Sequence, residues 1–217
     1  MSAWPRTEEE ALATQDALRA RLILGGGPAE PATVAGLDVA YHEDGERLAA
    51  AVVVLDTADL RVRDTAVVRG TAAFPYVPGL FAFREVPALL EALDKLSVRP
   101  DVLICDGHGL AHPRRFGLAC HLGVLTGLPS YGVGKTPLIG AWEQPGDQRG
   151  ARADLVDGGE TVGAVLRTRQ GVKPVFVSVG HRMDLDGACG LTLRLASRFR
   201  LPETTRLADR ACRDALR

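Results

Sequence analysis

Residues 33–40, 48–55 and 60–69 are three strand-like runs in succession, parted by polar or Asp-containing turns short enough to be hairpins. Parallel pairing needs a crossover of about a dozen residues or more, so these runs read as an antiparallel three-strand meander. The middle run, from Leu48 through Leu55, is the longest apolar stretch of the chain. It falls far short of the roughly 20 residues that a membrane span needs.

The pattern then changes. Residues 80–96 carry Phe81, Leu89, Leu93 and Leu96 at helical spacing, and 101–106 reads as a short buried strand. A helix is expected at 114–125, a strand at 130–133, a polar Gly/Asp-rich stretch at 142–159, strands at 161–168 and 174–178, and helices at 184–199 and 202–216. Ahead of the meander, Thr7-Glu8-Glu9-Glu10 has the spacing of a capping box, and Ala11, Leu18 and Leu22 follow at helical intervals until Gly25-Gly26-Gly27-Pro28 stops the element. The expectation is an α/β fold in one domain spanning 1–217. Its mixed sheet has three antiparallel strands followed by parallel strands, flanked by helices. This is the element order of the ribonuclease H-like architecture.

Composition narrows the function classes. Lys plus Arg number 26 against 27 Asp plus Glu, a net charge of -1, so the molecule lacks the overall basic excess of many DNA-binding domains. Positive charge is gathered at one end, because residues 194–217 hold seven Arg against three acids. Cys105, Cys120, Cys189 and Cys212 are widely spaced, with no C-x-x-C pair and no secretory leader ahead of them. Reduced thiols and a cytoplasmic location are the expectation. Only Lys95, Lys135 and Lys173 are lysines, which makes Lys135 in Gly134-Lys135-Thr136 informative. It is no P-loop, since that motif needs glycine at position 129 and the chain has Pro129.

Two carboxylates stand where strands should be buried. Asp38 sits inside Val34-Ala35-Gly36-Leu37-Asp38-Val39-Ala40, where an ionised group needs a cation or several donors. Asp106 ends the run Val102-Leu103-Ile104-Cys105, at the carboxyl end of a strand, where open α/β sheets place ligands. Each alone is as consistent with a loop-holding or turn-forming Asp as with a metal ligand. Glu85 shares a helical stripe with Phe81, Leu89 and Leu96 and points at the core side. Asp209 lies beside an arginine stripe of Arg206, Arg210, Arg213 and Arg217, and spacing alone favours a surface ion pair there. Carboxylates meeting at one point would bind hard divalent ions, and paired Mg²⁺ ions serve phosphodiester cleavage.

Five motifs carry a resemblance: Val34-Ala35-Gly36-Leu37-Asp38, Phe74-Pro75-Tyr76-Val77-Pro78-Gly79-Leu80-Phe81-Ala82-Phe83-Arg84-Glu85, Asp106-Gly107-His108-Gly109-Leu110-Ala111-His112-Pro113-Arg114, Gly132-Val133-Gly134-Lys135 and Ser178-Val179-Gly180-His181. Together they closely resemble the endonuclease V family, the deoxyinosine 3′-endonucleases, over about residues 7 to 213. The resemblance implies a ribonuclease H-like fold and Mg²⁺-dependent nicking of deoxyinosine-containing DNA at the second phosphodiester 3′ of the lesion, with Mn²⁺ as a substitute metal. It implies metal binding by Asp38, Glu85, Asp106 and Asp209, the last overturning the ion-pair preference. It also implies Lys135 near the scissile phosphate. Pro75, Tyr76, Val77 and Pro78 resemble the wedge that enters the duplex beside the lesion. Gly79, Leu80, Phe81, His112, Gly117 and Leu118 match the pocket for the extruded base. The family usually has proline where this chain has Thr204.

His108 and His112 are four apart but lie in a Gly/Pro-rich loop, so zinc is not expected. His181 reads as structural rather than catalytic. The terminal arginine stripe, with Arg114 and Arg115, is the expected phosphate-contacting surface. Family members divide between DNA and inosine-containing RNA as substrates, which leaves an RNA-directed enzyme as the rival within the same chemistry. A non-catalytic lesion-binding module is the rival from another class. A monomer is expected.

Overall fold

The computed structural model describes residues 4–217. Its centre is one eight-stranded sheet of order β3-β2-β1-β4-β5-β8-β7-β6. The meander is β1 (Thr33–Tyr41), β2 (Arg47–Asp56) and β3 (Val62–Thr71), antiparallel throughout. β4 (Val102–Cys105) then lies parallel to β1, and β5 (Ser130–Gly134) parallel to β4. β6 (Arg152–Asp157), β7 (Glu160–Leu166) and β8 (Val175–Val179) form a second antiparallel run, attached through β8 to β5.

α1 (Glu8–Arg19) starts with the expected capping box between Thr7 and Glu10. α2 (Ala82–Asp94) and α3 (Leu118–Thr126) cover one face of the sheet, packing Val86, Leu89 and Leu122 against Leu37, Val52 and Leu103. α4 (Leu185–Leu195) and α5 (Glu203–Ala215) cover the other, where Ala188, Leu191 and Ala208 meet Val34, Ile104 and Tyr131. β2 is therefore sandwiched, and all eight of its residues from Leu48 to Leu55 are buried.

Pro87 stands inside α2 and cannot donate to the carbonyl of Phe83 four residues earlier. The Trp4 indole N–H takes that acceptor at 3.0 Å, so the chain ahead of α1 repairs the defect. Gly36 in β1 is required by close approach. A Cβ there would stand 2.2 Å from the carbonyl oxygen of Thr204, so α5 can lie directly on β1 only because this position lacks a side chain.

Three expectations need correction. The polar stretch 142–159 contains the edge strand β6, in which only Leu155 is buried, turning through Gly158-Gly159 into β7. The helix expected from 114 begins at Leu118, because Arg115 takes the left-handed conformation with φ 55° and its guanidinium is held by His112 O, Asp157 O and Glu160. Leu60, placed in the third strand, is also left-handed at φ 59° and belongs to the turn before β3. All four cysteines are free and buried. Among the described residues no helix is long and apolar enough to cross a membrane.

Candidate active site

Parallel register brings the first two carboxylates together. Leu37 pairs with Cys105, and the Asp106 N–H donates to Leu37 O at 3.1 Å, so Asp38 and Asp106 leave the carboxyl ends of neighbouring strands side by side. Glu85 arrives from α2 on one face of the sheet and Asp209 from α5 on the other. All four line a cleft of about 600 Å³ together with Tyr41, Phe81, Lys135 and Arg213.

Crowding four acids in this way has an electrostatic consequence. Burial, and then the charge of Asp106, push the Asp38 carboxyl up to about 7. Glu85, only 5% exposed, is pushed up to about 8 by burial and then by Asp38. Each carboxylate is tethered elsewhere: Asp38 Oδ1 accepts from Val39 N at 2.8 Å, Glu85 Oε1 from Tyr41 Oη at 3.4 Å, Asp106 Oδ2 from Lys135 Nζ at 2.5 Å, and Asp209 Oδ1 from Arg213 Nε at 3.0 Å. Burial alone would lower the Lys135 ammonium, but its bond to Asp106 and the surrounding acids raise it above the usual lysine value. Among the described residues no three His, Cys, Asp or Glu are drawn to one point at ligating distance. The donor set is nonetheless all oxygen, largely buried, with four acids against Lys135 and Arg213, which is the chemistry that suits a hard divalent cation.

A second cavity of about 410 Å³ opens beside the first and shares Asp106 and Phe81 with it. Gly79, Phe81, His112, Gly117 and Leu118 line it as expected. Leu80 does not. Its side chain is 2% exposed and packs with Phe74, Phe83 and Ala11 in the core. Tyr76 and Pro78 stand at this cavity, Pro75 is exposed beside them, and Val77 is half-buried against the same core cluster. Tyr76 is 69% exposed and meets Phe81 edge-on at 6.0 Å, so it is free of the helix that could have covered it. Arg84 fixes the base of this loop, donating to Phe74 O and Gly45 O and standing over the Tyr41 ring at 5.1 Å.

Sequence reasoning named neither Tyr41 nor Leu138 for the site, and weighed His108 only as a zinc ligand. Tyr41 touches Glu85, His108 lines the second cavity and bonds Thr136 O, and Leu138 closes that cavity from the loop after β5. The His181 Nδ1 accepts from Ile23 N at 3.2 Å, a contact with the segment after α1 and outside both cavities. The arginines expected to meet phosphate are mostly committed to acids: Arg114 to Asp16, Arg115 to Asp157 and Glu160, Arg206 to Glu203, and Arg210, Arg213 and Arg217 to Asp214 or Asp209.

Comparison with known proteins agrees with this geometry. The family model for endonuclease V matches residues 16–210. The chain belongs to the endonuclease V family. An endonuclease V of Nocardia farcinica is 59% identical over 98% of this chain and 94% of its own length. The crystal structure of endonuclease V from Streptomyces avermitilis, 57% identical, superposes with a TM-score of 0.95 over 100% of this chain and 96% of that one. Endonuclease V of Ciona intestinalis, in complex with a 24mer DNA containing an inosine followed by a ribo-adenosine, is 27% identical with a TM-score of 0.85, covering 96% and 97%. Endonuclease V relatives at this identity and coverage make the chain a nuclease, and the mixed sheet described above is that of its endonuclease V neighbours.

Proposed function

We propose that this chain nicks DNA at the second phosphodiester 3′ of a deoxyinosine, in a Mg²⁺-dependent reaction that leaves 3′-hydroxyl and 5′-phosphate ends during repair of deaminated adenine. One observation carries the reading: Asp106 lines both the carboxylate cleft and the adjoining apolar cavity. A base held in the second therefore has its own strand's backbone running past the first.

Asp38, Glu85, Asp106 and Asp209 would hold the metal. Bound there, Mg²⁺ supplies Lewis-acid charge stabilisation and a more acidic water, with Mn²⁺ able to substitute. Lys135, on its flexible stem, sets an ammonium beside Asp106, where it can move to offset negative charge growing on the phosphate. Tyr76 is exposed, flanked by prolines that restrict φ, and so is suited to fill the stacking gap left when a base rotates out. Gly79, Gly107 and Gly117 expose main chain to the cavity, and hypoxanthine, which lacks guanine's 2-amino group, fits a wall of amides that would clash with guanine.

A second reading rests on one specific observation. The oligonucleotide bound by the Ciona protein carries a ribose directly after the inosine, so inosine-containing RNA is the alternative substrate. The test is cleavage of end-labelled strands with a single inosine, in which the sugar 3′ of the lesion is either deoxyribose or ribose. Faster cutting of the all-deoxy strand supports the DNA reading, and cutting confined to ribose strands moves the assignment to RNA. Equal cutting of a strand with guanine in place of the inosine contradicts both.

A further inference from the structure

The cavity proposed for the base has two walls far apart in sequence. One is the loop from Tyr76 to Phe81, and the other is the segment from Asp106 to Leu118. One polar side chain behind the cavity hydrogen-bonds to both. The Gln15 amide, on α1, donates from Nε2 to Gly79 O at 3.2 Å and to Phe116 O at 3.1 Å. Gly79 lines the first wall, and Phe116 directly precedes Gly117 of the second.

Gln15 is 1% exposed and its Oε1 has no hydrogen-bond partner. A buried amide that leaves its own acceptor unpaired is held there by its two donor bonds. Of the other polar side chains of α1, Asp16 pairs with Arg114 at 2.6 Å and Arg19 donates to Arg114 O at 3.2 Å, both on the second wall, while Ala11 and Leu12 pack on the first wall through apolar contact alone. From the front, His112 lines the cavity with its Nδ1 accepting from Arg114 N at 3.2 Å. Gly79 itself has φ 82°, a backbone state that favours glycine.

We infer that Gln15 is a positioning residue that fixes the spacing between the two walls of the base cavity and thereby sets how strictly the enzyme refuses a larger purine. The inference rests on the inosine reading above. Rejection of one exocyclic amino group depends on walls that do not yield, and a wall freed from its tie can move to admit it.

The test compares cutting at deoxyinosine and at deoxyguanosine, each opposite thymine so that both lie in wobble pairs, for the native protein, Gln15→Met and Asp16→Ala. Methionine fills the same space without the N–H donors, and the Asp16 variant loosens α1 without touching Gly79. The expected result is an inosine-to-guanine ratio lowered about tenfold or more in Gln15→Met and unchanged in Asp16→Ala. Should the Met variant fail to fold, Gln15→Asn keeps the amide but is one methylene too short to hold both carbonyls, and carries the same expectation. A ratio within about twofold of native in a folded Gln15 variant, with both substrates slowed alike, overturns the inference. A native ratio near one contradicts the inosine reading itself and takes this inference with it.

Discussion

Gly36 and Thr204 meet backbone to backbone, with no space between β1 and the first turn of α5 for even one methyl group. Through that contact Asp209, five residues further along α5, reaches the cleft that holds Asp38. Gly36→Ala would drive a Cβ to 2.2 Å of a carbonyl oxygen unless the helix shifts. Overpacking of this kind costs about 1–3 kcal/mol, and the shift would carry Asp209 away from the other acids. Thermal unfolding and nicking rate should both fall; a native rate in the folded variant would show that Asp209 need not be so placed.

Thr204 itself is buried with its hydroxyl unpaired. Thr204→Val keeps the shape and removes the unsatisfied group, so it should stabilise the protein by about 1 kcal/mol and leave nicking unchanged. Urea unfolding measures the change. A loss of stability would mean that the hydroxyl has a partner, such as a bound water.

Asp38 and Glu85 make the metal-free protein sensitive to alkali. In the fold their carboxyls are raised to about 7 and about 8 from ordinary values of 3.8 and 4.5, so the folded state holds protons that the unfolded chain has released. Their contribution is fully present below the ordinary carboxylate range and is lost as pH rises through those folded values. In EDTA, the melting temperature should therefore drop between pH 5 and pH 9. Held by these acids as proposed, Mg²⁺ would compete with those protons, and its stabilisation should then be larger at pH 8 than at pH 5. A Mg²⁺ shift independent of pH would place the ion away from these two acids.

Tyr76 is so exposed that removing it should leave the fold alone. Loss of a stacking ring costs about 1–3 kcal/mol, so Tyr76→Ala should slow nicking of an inosine duplex by roughly tenfold or more at native melting temperature. The loss should be smaller on single-stranded inosine DNA, where no neighbouring pair has to be unstacked. Equal losses on both would assign Tyr76 to the cavity rather than to the wedge.

The meander was legible because it follows from a local rule, hairpin-length turns permitting only antiparallel pairing, whereas the strand positions of Asp38 and Asp106 were legible but left each open between a loop-holding Asp and a ligand. The capping box at Thr7 is equally local. β6 was not legible, since an edge strand buries only Leu155 and its alternation is drowned by charge. The late start of α3 depends on Arg115, whose left-handed backbone is held by Asp157 and Glu160 more than 40 residues away. Tyr41, His108, Leu138 and Gln15 matter through partners on other elements, and no periodicity in their own segments marks them. Leu80, matched by resemblance to a pocket built largely of main chain, turns its side chain into the core beside Phe83, which its own segment does not reveal.

Mapping a nick to the nucleotide tests the proposed reaction most directly. An end-labelled duplex with one deoxyinosine is incubated with Mg²⁺ or with EDTA, using the native protein and Asp106→Ala, which removes the carboxylate common to both cavities. The predicted result is a single break at the second phosphodiester 3′ of the lesion, with Mg²⁺ only and in the native protein only. Cutting that persists in EDTA or in the variant, or that falls on undamaged DNA equally, would contradict it.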